Sequence, residues 1–185
     1  MSEAPDRRQQ KTRVALHAAF RDLLLEHGYE GLRIGDVTAR ANVGRSTFYE
    51  HYRSMDDLLR ASLQRPFLAF AQLVDRPATP ETMDALAAQL RHFRENRQVG
   101  RVLLTWPTRP VMASSLAGQI ADRLRGRCLP QALLPADLIA RQVAEMQLAL
   151  LDSWIAGRPA VELDAAVAAL DRGTRALVKA LSASE

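Results

Sequence analysis

The stretch Gly28-Tyr29-Glu30-Gly31-Leu32-Arg33-Ile34-Gly35-Asp36-Val37-Thr38-Ala39-Arg40-Ala41-Asn42-Val43-Gly44-Arg45-Ser46-Thr47-Phe48-Tyr49-Glu50-His51-Tyr52-Arg53-Ser54-Met55-Asp56-Asp57-Leu58-Leu59 decides the fold. Leu32, Ile34, Val37 and Ala41 are the apolar positions of one short helix, and Phe48 and Tyr52, four apart, share a face of a second. Asparagine tolerates positive φ, so Asn42 makes the tight turn between them, and Gly44 serves as N-cap of the second. Ser54 precedes Asp57 by three, a capping-box spacing, just ahead of Leu58, Leu59, Leu63 and Phe67. A long helix starts there.

Upstream, Leu16, Phe20, Leu23 and Leu24, with His27 one turn on, lie on one face of a helix that begins near Asp6 and is ended by Gly28. Downstream, the pattern breaks at Asp75-Arg76-Pro77-Ala78-Thr79-Pro80, where Thr79 as N-cap and Pro80 at the first position open a helix carrying Leu86, Leu90 and Phe93. Gly100 to Pro110 holds short apolar pieces and two prolines. Val111, Leu116, Ile120 and Leu124 form another helical stripe ending near Gly126, and Pro130 and Pro135 mark a loop. Leu138, Ile139, Val143, Met146, Leu150, Leu151 and Trp154 predict a helix from Pro135 to Ile155, ended by Gly157 and Pro159. The last helix runs from about Glu162 to Leu181. No strand-like alternation competes, so the fold class is all-α.

The 185 residues are 48% hydrophobic and 25% charged, a composition that excludes a disordered chain and collagen and suits a buried core. No run approaches the 18 or so apolar residues of a spanning helix, and the N-terminus lacks a signal-peptide core, so no membrane is expected and the localisation is cytoplasmic. One cysteine, Cys128, cannot make an internal disulfide. His17, His27, His51 and His92 show no metal-ligand spacing, and Ser114 and Ser115 lack the glycines of a nucleophile elbow. No enzyme, metal or cofactor is expected.

The run 28–59 resembles, without a gap, the helix-turn-helix of TetR-family (TetR/AcrR-like) bacterial transcriptional regulators. The match covers about a third of the chain counting the preceding helix. Its most specific part is Thr47-Phe48-Tyr49-x-His51-Tyr52 followed by Ser54-x-x-Asp57-Leu58-Leu59. The resemblance implies an N-terminal three-helix DNA-binding domain at 1–54 and a C-terminal helical ligand-binding and dimerisation domain at 55–185.

A recognition helix buries one face and presents short polar and basic residues to the major groove. Arg45, at the N-terminal end, is the candidate for a bidentate guanine contact, with Ser46 and Thr47 beside it. By resemblance Tyr49 and His51 hydrogen-bond backbone phosphates, which sets register rather than reading sequence. Three positions depart from the family pattern. Arg33 replaces a hydroxyl residue at the second helix's N-cap, Gly35 replaces a longer side chain that often approaches DNA, and Met55 replaces a phosphate-binding lysine. Arg33 and Arg53 compensate in part. From spacing alone these arginines read equally as solvated surface charges.

One recognition helix covers few base pairs, so specificity calls for two half-sites, a homodimer and a palindromic double-stranded operator. Leu163, Val167, Leu170, Thr174, Leu177 and Leu181 alternate four and three apart and, with Leu151 of the preceding helix, form either a dimer seam or packing within one subunit. Candidate effector-binding residues are His92, Phe93, Trp106, Arg109, Met112, Met146 and Trp154, each equally readable as core. Trp106, in the proline-bounded run Trp106-Pro107-Thr108-Arg109-Pro110 between helices, is placed to respond to a ligand. Together these expectations describe a homodimeric, sequence-specific regulator, a repressor released by a small-molecule effector. The alternative is an architectural or protein-interaction module of the same fold without an effector.

Overall fold

The computed structural model describes residues 3–75, 78–126, 132–158 and 160–182, with side chains from Arg7 onward. Among the described residues there are nine helices and no strand: α1 (Glu3–His27), α2 (Ile34–Arg40), α3 (Arg45–His51), α4 (Met55–Gln72), α5 (Pro80–Glu95), α6 (Arg97–Leu103), α7 (Thr108–Arg125), α8 (Ala136–Ala156) and α9 (Leu163–Ser182). Arg76, Pro77, Cys128, Pro130 and Pro159, used in the sequence reading, lie outside the described residues. Chain contacts divide the molecule within α4 into Met1–Ser62 and Leu63–Glu185, eight residues beyond the division at 54/55 read from the sequence.

In the first unit, Leu16, Phe20, Leu23 and Leu24 of α1 are buried, together with Val37 of α2, Phe48 of α3, Tyr52, and Leu58 and Leu59 of α4. These last two explain why the unit runs into α4. His27 does not share the buried face; it is exposed in the last turn of α1. Its imidazole would lose hydration without gaining a partner in the core. Gly28, at φ +67°, stops α1 with its N–H on the Leu24 carbonyl. Arg40 donates to both oxygens of Glu26, at 3.0 and 2.8 Å, and ties α2 to α1.

A chain of polar groups crosses this unit. Ser62 Oγ donates to the Leu58 carbonyl at 2.9 Å, so it accepts from His17 Nδ1–H at 2.6 Å; His17 Nε2 is then the acceptor, and Tyr52 O–H donates to it at 2.9 Å. Tyr52 caps α3, so the imidazole links α1, α3 and α4. Burial, and secondarily the charge of Arg13, hold its pKa below the ordinary 6.5.

The second unit packs α7 along α8, α8 against α9, and α5 and α6 around them. Thr79 caps α5, accepting from the Thr82 N–H at 3.3 Å, with Pro80 first in the helix. Gly157, at φ +68°, ends α8. The region read as short apolar pieces contains α6. Gly100 hides this helix from a propensity reading, yet its missing side chain is what α6 needs: a Cβ there would lie 2.7 Å from Ile155 Cδ1. Gln147 is fully buried and donates to the Phe70 carbonyl at 3.1 Å and to Thr174 Oγ1 at 2.9 Å.

The α9 stripe is divided. Leu163, Val167, Leu177 and Leu181 are half-buried, whereas Leu170 and Thr174, with Leu151 of α8, are completely buried within the chain. The last three pack within the subunit, the second of the two readings that the stripe allows, and Thr174 there receives the Gln147 hydrogen bond.

Two outcomes are expected. The folded first unit binds a proton at His17 more weakly than the unfolded chain does, so its contribution is full above pH 6.5 and is lost as the pH falls below that value. Amide hydrogen exchange over residues 16–62 at pH 7.5 and 5 should show protection lost at the lower pH, and less of that loss in His17→Gln. In the second unit, Gln147→Leu leaves the Phe70 carbonyl and the Thr174 hydroxyl without their partner. Urea unfolding should show a loss of about 1–3 kcal/mol.

Candidate nucleic-acid interface

α2 and α3 are joined by a turn in which Asn42 takes φ 52°, as the sequence predicts, and Val43 N–H donates to the Thr38 carbonyl at 3.0 Å. Gly44 is the N-cap of α3, extended and without a side chain to cap. Phe48 is fully buried and its ring centroid lies 5.8 Å from that of Tyr52. With this face inward, Arg45, Ser46 and Tyr49 are exposed, and Thr47 and His51 half-buried. The Tyr49 ring stands edge-on to Phe48, with centroids 5.5 Å apart, which orients the phenol while leaving it 58% exposed.

The departures in α2 and α4 have visible consequences. Arg33, the N-cap of α2, makes no side-chain cap; its Nη1 donates instead to the Glu30 and Leu32 carbonyls at 3.0 and 3.2 Å. The guanidinium is thereby held beside the start of α2. Ser54 does cap α4, accepting from the Asp57 N–H at 3.1 Å, but the Asp57 carboxylate reaches the Arg53 N–H at 3.0 Å. The reciprocal bond thus falls one residue before the cap. Arg53 itself is exposed.

Arg33, Gly35, Arg45, Tyr49 and Met55 border an open depression of about 330 Å³, to which no carboxylate contributes. Among the described residues no acidic group pairs with Arg45. Two cations, a phenol hydroxyl and an apolar floor that includes Met55 suit an anionic, hydrogen-bonding surface such as a nucleic-acid backbone and base edge. The DNA-facing candidates Arg33, Arg45, Ser46, Thr47, Tyr49, His51 and Arg53 thus all fall on α3 or the segments flanking α2 and α4.

The candidate effector residues separate into interior and surface. Phe93, Met112 and Trp154 are buried, with Trp154 Nε1 donating to the Leu90 carbonyl at 3.2 Å and the Arg94 guanidinium 4.7 Å from its ring. Met146 is half-buried against Gly173. His92 is exposed beside Asn96, and Arg109 is paired with Glu145 at 2.7 Å. Trp106 stands 78% exposed. Thr108 Oγ1 lies within hydrogen-bond distance of the Val102, Leu103 and Thr105 carbonyls, which closes the connection and leaves the indole outside it. Among the described residues no group of His, Cys, Asp or Glu is arranged to hold a metal, and no helix is long and apolar enough to cross a membrane.

Comparison with known proteins bears on the same segment. Residues 16–62 match the family described as bacterial regulatory proteins, tetR family. A curated relative, the uncharacterized HTH-type transcriptional regulator YxbF of Bacillus subtilis (strain 168), is 42% identical over 71 residues; the match spans 38% of this chain and 18% of that protein. Among solved structures, a TetR transcriptional regulator from Streptococcus agalactiae 2603V is similar over 94% of this chain and 99% of its own, at 28% identity and a TM-score of 0.57. A TetR-family regulator from Syntrophomonas wolfei str. Goettingen, 17% identical with a TM-score of 0.57, covers 92% of this chain and 96% of its own and shares the fold. These relatives are regulators of transcription rather than enzymes. The segment 16–62 is thus similar to the helix-turn-helix domain of bacterial regulatory proteins of the tetR family, and the whole chain shares its fold with solved regulators of that description.

Proposed function

We propose that this chain is a homodimeric, sequence-specific DNA-binding regulator of transcription, a repressor released by a small-molecule effector. The observation that carries the reading is the division of α3. Phe48 is fully buried while Arg45, Ser46 and Tyr49 face outward beside a depression without carboxylates. In this reading Arg45 takes a guanine edge, Ser46 and Thr47 approach neighbouring bases or phosphates, and Tyr49, His51, Arg33 and Arg53 hold the backbone. Two copies place two such helices on a palindromic operator, and the half-buried Leu163, Val167, Leu177 and Leu181 of α9 supply apolar surface for their pairing. The effector acts by binding the DNA-free state more tightly, since a ligand with equal affinity for both states shifts nothing.

Two measurements test this. A duplex selected by the full chain from a random pool should bind it much more tightly than random DNA in fluorescence anisotropy. Arg45→Ala should cost about 1–3 kcal/mol on the selected duplex and little on the random one. Equal losses on both would make Arg45 a phosphate contact only. Affinity should also fall linearly in log–log form with salt, and Arg33→Ala should reduce that slope by about one. An unchanged slope would remove Arg33 from the interface.

A further inference from the structure

Gly35 stands in the first turn of α2 and leaves open the space that a side chain would take. The space is filled by Arg45: a Cβ built on Gly35 would lie 2.8 Å from Arg45 Nη2, 3.7 Å from Cζ and 3.8 Å from Nε. The guanidinium, carried by the first residue of α3, therefore rests against the bare backbone of α2, and it does so without an ionic partner among the described residues. Such a contact restricts a side chain that otherwise loses much rotamer freedom when it binds.

We propose that Gly35 is a positioning residue for sequence reading: its missing side chain forms a seat that pre-orders the Arg45 guanidinium for its contact with a base. The inference rests on the DNA-binding reading above. The nearest atom is the far end of a flexible side chain, so alanine at position 35 fits once Arg45 swings away, and alanine is the better helix former. Stability and recognition should consequently move in opposite directions. An ordinary helix glycine would show only the gain in stability.

The test uses the full chain, a duplex selected by it from a random pool, and a random duplex. Gly35→Ala should keep or raise the Tm, weaken binding to the selected duplex at least about fivefold, and leave binding to random DNA unchanged. Added to Arg45→Ala, it should cost nothing further. In the free protein, the Arg45 Nε–H should lose NMR order in Gly35→Ala. The proposal is overturned if Gly35→Ala binds the selected duplex as the unmodified chain does, if it weakens Arg45→Ala by the same factor, or if the Nε–H order is unchanged. Should the pool yield no preferred duplex, the DNA-reading function fails instead, and the Nε–H order alone decides the seat.

Discussion

Burial of Phe48 in the core of the first unit determines what α3 can present. A seven-residue helix is too short to persist on its own propensity, so its orientation comes from packing: Phe48 and Tyr52 go inward, and the first turn's Arg45 and Ser46, with Tyr49, are left outward. The Tyr52 hydroxyl adds direction to this apolar anchor by donating to His17, whose other nitrogen reaches Ser62 on α4. Because the three groups hydrogen-bond in one sense along the chain, the C-terminal end of α3 is fixed in rotation as well as in depth. The bidentate Arg40–Glu26 pair does the same for α2 at the surface, where ion pairs alone stabilise little.

Much of this was legible in the sequence because it depends on local rules. Positive φ at Asn42, the glycine stops at Gly28 and Gly157, and the Thr79–Pro80 start of α5 are each properties of one or two residues. The buried face of α1 and the position of Phe48 follow from spacing. What escaped depends on residues far apart in the chain. The His17–Tyr52–Ser62 chain joins positions 45 and 35 residues apart, and the half-buried imidazole carries no pattern of its own. α6 was hidden because Gly100 reads locally as a breaker, and only the approach of Ile155 explains it. A four-and-three stripe on α9 likewise does not say which surface covers it; the Gln147 donor to Thr174 does.

The residues proposed to face DNA come from one segment of the sequence, but their mutual arrangement was not legible there. Gly35 reads as a lost contact until the guanidinium of Arg45 is found resting on it, and Arg33 reads as a free charge until its bonds to the Glu30 and Leu32 carbonyls are seen. In the second unit the same kind of reading has less to work with. Large side chains such as Met112 and Trp154 fill a core and line a ligand site by the same chemistry, so periodicity cannot separate the two. The structure places both in the interior, and Trp106 outside it.

In the proposed reading, α3 reads guanine through Arg45 in two symmetric half-sites. Methylation interference at guanine N7, on a duplex selected by the full chain, tests it most directly. The predicted result is one strongly sensitive guanine in each half-site, the pair related by a two-fold axis and about one helical turn or a multiple apart, with both sensitivities lost in Arg45→Ala. Guanine sensitivities that persist in Arg45→Ala, or a pattern without two-fold symmetry, would contradict it.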